Sequence, residues 1–478
     1  METSSRRPAR RFGALMRRTM IAGALALAGP VAAADTLADA LAGAYNTSGL
    51  LEQNRALLRA ADEDVAGTIA QLRPIIGWTT DITRNYTNRS GGGLAGLGGS
   101  SGATNLNVGI TAEWLLYDFG QTRLSVDAAK QIVLSTRQSL VSIEQQVLLR
   151  AVQAYMNVQR NTRFVSLRRS NVRVISESLR AARDRFEVGE VTRTDVAQAE
   201  ARLSLSRSNL AQAEGDLQRA EEEYRAVVGT PPGNLVQPPS LPMLTRTEET
   251  AKQVALRNHP DMLRAQYDVS AARLNVLVAE AAMKPRVTLN AGVGVSERLN
   301  GDTSSETGSF GIQVGGPIYQ GGALASAKRR AFAQRDAQLG VLHQTQDRIR
   351  QNVGNAYAIL EAARASAVAT ADAVRAGRVA FEGVREEATL GARTTLDVLN
   401  AEQEYLDAQA DQISAQADVI IAAYAVLESM GELTVRDLNL AVQTYDPAAY
   451  YNLVKDAPAA LSARGQTLDR VLRKIGKQ

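Results

Sequence analysis

Two short stretches decide the fold of this chain: FEVGEVTRTDV at residues 186–196 and TLGARTTLDV at residues 389–398. In both, a long helical pattern ends at a glycine, Gly189 or Gly391, the residue type that most readily adopts the left-handed conformation after a helix end. A threonine follows, Thr192 or Thr394, and is suited to cap the next helix. We therefore predict that the two stretches are the tips of two helical hairpins.

The spacing between the two tips recurs through much of the chain. Positions 202 residues apart carry the same residue in the pairs Gly189 and Gly391, Tyr117 and Tyr319, Gly120 and Gly322, and Tyr155 and Tyr357. Further upstream the spacing becomes 211, as between Pro74 and Pro285, and a Gly- and Ser-rich run at 91–102 lies where the difference must arise. The chain is therefore one structural unit used twice, with a longer loop in the first copy.

We divide the chain into four parts on this basis. They are a signal peptide at 1–34, a first repeat at 35–242 with strands at about 74–119, a second repeat at 243–440 with strands at about 285–319, and a C-terminal segment at 441–478 that ends in a basic tail. The signal peptide rests on six arginines before the apolar Met20–Ala28 and on the small residues Ala32–Ala34. A transmembrane anchor is the alternative, but the apolar run is short for one.

Charge and composition exclude several classes of function. The leader contributes +5 (six Arg less one Glu) to a formal net charge of +4, so the remainder is near −1 and no nucleic-acid partner is expected. The absence of cysteine excludes disulfides, thiolate metal sites and a lipid-bearing Cys. The two histidines, His259 and His343, lie far apart and outside any metal-ligand pattern. We expect neither enzyme activity nor a cofactor.

Long helices dominate the remaining pattern. No proline occurs between Pro74 and Pro231 or between Pro317 and Pro447, and residues 121–186 also lack glycine. As one helix, 121–186 would extend roughly 100 Å. Its apolar residues recur every seven positions, which is typical of a coiled coil, at Val126, Val133, Leu140, Val147 and Ala154.

Each long helix is matched by two helices of about half its length. The predicted half-length helices are Thr36–Leu72 and Asp195–Val228 in the first copy, and Glu248–Lys284 and Leu396–Met430 in the second. Placed end to end, each pair is close to one long helix in length. After Ala34, we find no apolar run near the ~20 residues that a membrane helix needs.

Four segments alternate apolar and polar residues and are predicted to be strands of about ten residues. They begin near Trp78, Leu106, Val287 and Phe310. Strands of this length can cross a membrane when tilted, and Trp78, Trp114, Tyr117 and Tyr319 lie near their ends, where interface aromatics belong. A half-buried sheet in a soluble domain is the alternative for any single strand. The connections at Arg89–Thr104 and Glu297–Ser309 are expected to face the cell exterior.

Four strands cannot close a membrane barrel, and an open edge in lipid is not viable, so several copies must assemble. Spacing alone allows two, three or four copies in cyclic symmetry.

The duplicated unit, the Tyr-x-x-Gly entries to the long helices and the paired G-x-x-T-x-x-D-V tips resemble the TolC family of outer-membrane efflux and secretion channels, over about residues 35–455. The resemblance implies an α+β membrane protein, in which a homotrimer builds a long coiled-coil α-helical barrel continuous with a transmembrane β-barrel of four strands per chain. It also implies a location in outer-membrane lipid with the helical tunnel in the periplasm, and partnership with an inner-membrane transporter and a periplasmic adaptor.

The resemblance further implies a periplasmic gate at the hairpin tips. Asp397 matches an acidic ring position, and Asn400 stands where well-known members carry a second acid. Arg393 and Asp195 match a latch pair, although Ala388 replaces the tyrosine of that latch. The tip residues Gly189, Thr192, Gly391 and Thr394 are expected to meet the adaptor or the transporter. The alternative is that Asp195 and Asp397 only stabilise the positive ends of the helices that they begin.

By resemblance, the function is that of an exit duct in a tripartite export system. The segment Tyr445–Lys455 is similar to the branch associated with type I protein secretion, which favours protein cargo. A multidrug efflux duct of the same family is the first alternative. A periplasmic coiled-coil scaffold without a pore is the second, although it leaves the four strands without a role. The tail at 461–478 is basic and amphipathic, and the sequence assigns it no role.

Overall fold

The computed structural model describes residues 35–88, 100–238, 242, 246–460 and 462–475. The predicted signal peptide and most of the first strand connection, including 89–99, lie outside these residues. In chain order the helices and strands are α1 (Leu37–Thr47), α2 (Gly49–Ala70), β1 (Ile75–Asn88), β2 (Ser100–Tyr117), α3 (Gln121–Glu187), α4 (Arg193–Val228), α5 (Glu248–Asn258), α6 (Pro260–Ala281), β3 (Arg286–Arg298), β4 (Ser304–Gly315), α7 (Ala323–Thr389), α8 (Thr395–Met430), α9 (Pro447–Val454) and α10 (Ala463–Ile475).

The internal duplication is present element by element. Helices α3 and α7 both contain 67 residues, α4 and α8 both contain 36, α1 and α5 both contain 11, and α2 and α6 both contain 22. Both long helices begin after a glycine, Gly120 or Gly322, with a φ of +86°. A residue with a Cβ would be strained in this left-handed conformation, which explains why glycine recurs at both starts.

The prediction of one helix over Thr36–Leu72 is wrong, because the chain breaks at Ser48. Ser48 has an extended backbone, and its side chain caps α2 by accepting a hydrogen bond from the Leu51 amide. The Thr47 hydroxyl lies 3.1 Å from the Val228 carbonyl oxygen, which ties the break to the end of α4. In the second copy, the corresponding break occurs at His259, before Pro260.

The helices form a layer in which α4, α3, α8 and α7 lie side by side, with α2 and α6 packed against the long helices. The main core surrounds the middle of α3, where Leu148, Val152 and Tyr155 are fully buried. A smaller apolar cluster lies nearer the tips and joins α3 and α4 to Leu399 of α8.

Helix α8 is also the one described helix whose length and composition would allow it to cross a membrane. Half of its most apolar 18-residue stretch is buried inside the chain. We interpret α8 as a core helix of the bundle, because it packs between α3 and α7 along its length.

The four strands form one antiparallel sheet in the order β1-β2-β3-β4. The strands contain 12 to 18 residues and are longer than the ten predicted. Their register places Trp78, Ile110 and Val293 in one row across an exposed apolar face. The opposite face is polar, as in the 2.8 Å hydrogen bond from Asn107 to Asp81. One face therefore suits lipid and the other suits water.

The second strand connection is shorter than expected, and β4 ends before the predicted strand residue Ile318. The described turn between β3 and β4 spans 299–303, whereas the prediction spans Glu297–Ser309. The extra residues extend the sheet, since Glu297 pairs with Ser304.

The C-terminal segment folds back along α2. The Tyr450 hydroxyl of α9 donates a 2.6 Å hydrogen bond to Glu63, and the Tyr445 amide donates to the Tyr45 hydroxyl. Leu468 of α10 is buried beside Ala66. Residues 445–460 and 462–475 therefore belong to the same packed region as the start of the first repeat.

A buried carboxyl group lies close to the apolar cluster near the tips. Glu402 of α8 is 5% exposed, and the Asn171 amide of α3 lies 3.4 Å from its carboxylate. Burial raises the pKa of Glu402 to about 7, and the hydrogen bond from Asn171 offsets only part of this shift. The side chain is therefore largely protonated below neutral pH.

We expect Glu402→Gln to stabilise the folded protein at pH 8 and to change stability little at pH 4. The unfolded carboxyl ionises near its ordinary pKa of 4.5, whereas the folded group keeps its proton until about 7, so the parent loses stability between these values. The gain at pH 8 should be on the order of 2–3 kcal/mol per copy. Thermal unfolding followed by circular dichroism across this pH range measures it.

The matched control is Glu404→Gln, because Glu404 lies two residues away on the same helix with an exposed side chain. It should show the pH profile of the parent. Equal profiles for the parent and both variants would mean that the Glu402 carboxyl ionises as it does in water.

Candidate functional site

The two hairpin tips have nearly identical backbone geometry. After α3 the chain turns at Gly189, with a φ of +82°, and after α7 it turns at Gly391, with a φ of +79°. The Glu190 amide bonds the Arg185 carbonyl at 2.9 Å, and the Ala392 amide bonds the Glu387 carbonyl at 2.9 Å. These bonds satisfy carbonyl groups at the ends of both long helices. The tips are therefore well-formed turns.

Each tip continues into a helix through a reciprocal capping box. In the first, the Thr192 amide donates to the Asp195 carboxylate at 2.8 Å, and the Asp195 amide donates to the Thr192 hydroxyl at 3.3 Å. In the second, the corresponding distances between Thr394 and Asp397 are 3.0 and 3.2 Å. Both threonines thus act as the caps that the sequence predicts.

These bonds hold both carboxylates in the charged form. Hydrogen bonds from Thr192 lower the pKa of Asp195, first through its hydroxyl and then through its amide. The amide and hydroxyl of Thr394 lower the pKa of Asp397, and Arg393 contributes a smaller effect in the same direction. Each tip therefore presents a negative charge at neutral pH.

Arg393 does not pair with Asp195 within the chain. Its Nε lies 2.8 Å from a carboxylate oxygen of Glu387, across the turn of the same tip, and this bond raises the pKa of Arg393. The bonds of the Asp195 carboxylate go to Thr192 instead. The single chain therefore does not bring the predicted latch pair together.

Asn400 joins the two hairpins. It accepts a 2.9 Å hydrogen bond from Arg202 of α4, so the second hairpin is tied to the first just above the tips. Leu399, its neighbour, is buried in the cluster formed by α3 and α4. The residue that the sequence analysis places in a gate thus has a contact within the chain.

No sequence pattern predicts Arg202, Glu387 or Glu402 as a site residue. Glu387 lies six residues before Arg393, and only the turn between them brings the two side chains together. Arg202 and Asn400 lie 198 residues apart and meet only through the packing of the two hairpins. The repeat offset of 202 relates equivalent positions in the two copies. It therefore does not predict contacts between non-equivalent positions of the repeat.

The tip region has a surface of charged and polar groups that can meet other copies or other proteins. Two apolar side chains interrupt it, Val188 with 71% and Leu390 with 79% of its surface exposed. They occupy equivalent positions in the two tips. Among the described residues, no group of three or more His, Asp or Glu side chains is placed to hold a metal ion. The arrangement suits docking and electrostatic gating and shows no centre for catalysis.

The model of the outer membrane efflux protein family matches this chain twice, over residues 44–230 and 251–432. The outer membrane efflux protein BepC of Brucella suis is 36% identical over 444 residues, which cover 92% of this chain and 95% of the relative. The outer membrane protein TolC of Vibrio cholerae is 24% identical over 70% of this chain and 78% of the relative.

Solved structures share the fold at low sequence identity. The Campylobacter jejuni CmeC outer membrane channel superposes with a TM-score of 0.73 and 15% identity, over 88% of this chain and 90% of that chain. The open state of the Neisseria gonorrhoeae MtrE outer membrane channel gives a TM-score of 0.68 and 21% identity, over 83% and 88%. The predicted α+β channel fold is confirmed by these neighbours.

Channels of this family form trimers in the outer membrane and work with inner-membrane transporters and periplasmic adaptors. These family properties confirm the predicted homotrimer, partners and location. They are inconsistent with the alternative of a scaffold without a pore. The two matches of the family model together cover more than half of the chain. The chain therefore belongs to the outer membrane efflux protein family, whose members are channels and not enzymes.

Proposed function

We propose that three copies of this chain form the exit duct of a tripartite export system, with the hairpin tips as the periplasmic gate. The supporting observation is that both 67-residue helices begin next to the sheet and end at equivalent hairpin tips. At 1.5 Å per residue each helix extends roughly 100 Å, so the tips lie far from the strands that suit lipid.

The proposed gate depends on the charge of Asp397. In a trimer, three such carboxylates would stand at equivalent positions, and their pKa is lowered by the bonds from Thr394. Like charges at short range repel each other and attract cations, so a narrow ring would favour cation entry and bind divalent ions. Asn400 carries no charge and adds no second ring.

The proposed latch would act between hairpins of neighbouring copies. The side chains of Arg393 and Glu387 are each about half exposed. The guanidinium is therefore free to exchange partners. An exposed pair of this kind contributes little to stability. Asp195, at the start of α4, offers a carboxylate as the alternative acceptor.

The tips are proposed to dock the adaptor or the transporter through Gly189, Thr192, Gly391 and Thr394 and the apolar side chains beside them. Val188 and Leu390 are among the most exposed large apolar residues of the helical region. Apolar groups that stay exposed at equivalent positions are suited to contact with another protein.

For the cargo, we propose protein export by type I secretion, with small-molecule efflux as the second candidate. Protein export is supported by the Pseudomonas aeruginosa alkaline protease secretion protein AprF, 27% identical over 55% of this chain and 56% of the relative. Efflux is supported by the higher identity to BepC, which is named an efflux protein.

Deletion of this chain in its own host should remove specific proteins from the culture medium while leaving dye accumulation unchanged. A type I system passes unfolded polypeptide through the duct, so loss of the duct stops secretion. Mass spectrometry of the medium and a fluorescent-dye accumulation assay measure the two outcomes in the same strain. Unchanged secretion with a several-fold rise in retained dye would support efflux and contradict the secretion proposal.

Arg393→Ser should raise the single-channel conductance of the trimer in planar bilayers several-fold, because it removes the proposed contact between hairpins. Glu387→Gln is the matched control. It breaks the same pair within the tip but leaves the guanidinium available to a neighbouring copy, so its conductance should equal that of the parent. Equal behaviour of the two variants would show that Arg393 acts only through Glu387.

Asp397→Asn should weaken block of the channel by divalent cations by roughly tenfold, since the three charges are lost while the amide oxygen can still accept a bond from Thr394. Asp39→Asn is the control, because Asp39 forms the same capping box with Thr36 beside the middle of α3, far from the tips. If both variants show the parent's block and differ only in stability, Asp397 is a cap and the gate proposal fails.

A further inference from the structure

Helix α10 has one buried face and one basic face. On the buried face, Leu468 packs into a small cluster with Ala66 of α2 and with Tyr450 and Val454 of α9. On the other face, Arg470, Arg473 and Lys474 are exposed. Their spacing of three and four residues places them together on the helix surface.

These three cations have no ion-pair partner in the described part of the chain. The other arginine of the helix, Arg464, pairs with Asp456 in the preceding turn. The acid closest in sequence, Asp469, is exposed, and its contact with Arg473 is made through its backbone carbonyl at 3.3 Å. The basic face is therefore a concentration of positive charge that the chain itself does not neutralise.

The sheet shows where the membrane boundary lies relative to this helix. Trp114, Leu289 and Ile312 form a row of the apolar face close to the helices, and only the row of Tyr117, Val287 and Val314 lies nearer to them. The Trp114 indole donates a 3.1 Å hydrogen bond to the Leu72 carbonyl, just after α2. An aromatic residue with an apolar ring and a bonded N–H at the end of an apolar band is typical of a membrane interface. Leu72 therefore lies at the boundary on the side of the helical tunnel.

The connection from α9 to α10 is fastened at the same level. Arg73, the residue after Leu72, donates hydrogen bonds to the carbonyl oxygens of Asp456 and Ala457. Leu468 contacts the cluster at Ala66, which is four residues before the end of α2, or about 6 Å along the helix. A charge within about 8 Å of a lipid surface is within one Debye length of it at physiological salt.

We propose that Arg470, Arg473 and Lys474 bind the phosphate groups of anionic phospholipids in the membrane leaflet that faces the tunnel. Guanidinium groups match phosphate oxygens in geometry and charge, and a cluster of cations beside a membrane attracts anionic lipid. This surface fixes the depth of the trimer in the membrane and is independent of the gate and the cargo.

The absence of cysteine allows a direct test of this proposal. Gln466→Cys places a single thiol on the basic side of α10, where a fluorophore can be attached. Trimers are reconstituted in nanodiscs of phosphatidylcholine alone or with a quarter phosphatidylglycerol, each containing a lipid with a spin label on its headgroup. We expect quenching to be about twofold stronger in the discs with phosphatidylglycerol and to lose this difference at high salt.

The variant Arg470→Gln/Arg473→Gln/Lys474→Gln should abolish the preference for phosphatidylglycerol. Its control carries the same change of charge on α7, as Arg375→Gln/Arg378→Gln/Arg385→Gln, and should keep the preference. Circular dichroism and native mass spectrometry establish that both variants remain folded trimers. Inorganic phosphate added to phosphatidylcholine discs should not reproduce the effect.

Two results would overturn the proposal. Equal quenching in the two kinds of disc would show that the basic face does not distinguish anionic lipid. Quenching near zero in both would show that α10 lies away from the membrane, with its basic face directed at an acidic protein surface. Because neither measurement depends on transport, failure here and failure of the proposed function are distinguishable.

Discussion

The two open edges of the sheet are the constraint on which the assembly depends. Strands β1 and β4 each pair on one side within the chain, and their other sides present backbone N–H and C=O groups. Such groups cannot remain without partners in lipid, so β1 of one copy must pair with β4 of the next. Four strands per copy are too few to close a barrel, and three copies supply twelve. The strand count thus requires several copies, and the trimer of this family meets that requirement.

The same closure explains why two nearly identical repeats have different surroundings. Helix α3 is buried at positions along its whole length, whereas the far half of α7 exposes apolar groups such as Val368 and Val379, at 66% and 67%. In a closed ring, α7 lies at the end of the layer formed by one chain and meets the next copy. The long helix of the first repeat therefore lies inside the subunit, whereas that of the second lies at its edge.

Much of this fold can be predicted from the sequence, because single residues set where its long helices begin and end. Gly120 and Gly189 begin and end α3, and the absence of proline between them keeps the helix continuous. The break at Ser48 is harder to predict, because a single capping serine marks it. The offset of 211 places Ser48 opposite His259, where Pro260 marks the corresponding break in the second copy. The Glu402–Asn171 contact could not be predicted, because it joins positions 231 residues apart through packing alone.

Three capping boxes in the described part of the chain show how far local structure can explain the candidate gate. Thr36 with Asp39, Thr192 with Asp195, and Thr394 with Asp397 form the same bonds, although the first lies far from the tips. The box therefore accounts for the residue types at both tips without any reference to transport. What is particular to the tips is position, since they are the free ends of the hairpins, and the proposed gate requires them to converge on the three-fold axis. Because the bonds of its own helix cap already keep the Asp397 carboxylate ionised, three copies of it would form a charged ring without any further interaction. Helix capping and gating are therefore compatible roles of Asp397, and capping supplies the fixed geometry on which a narrow ring would depend.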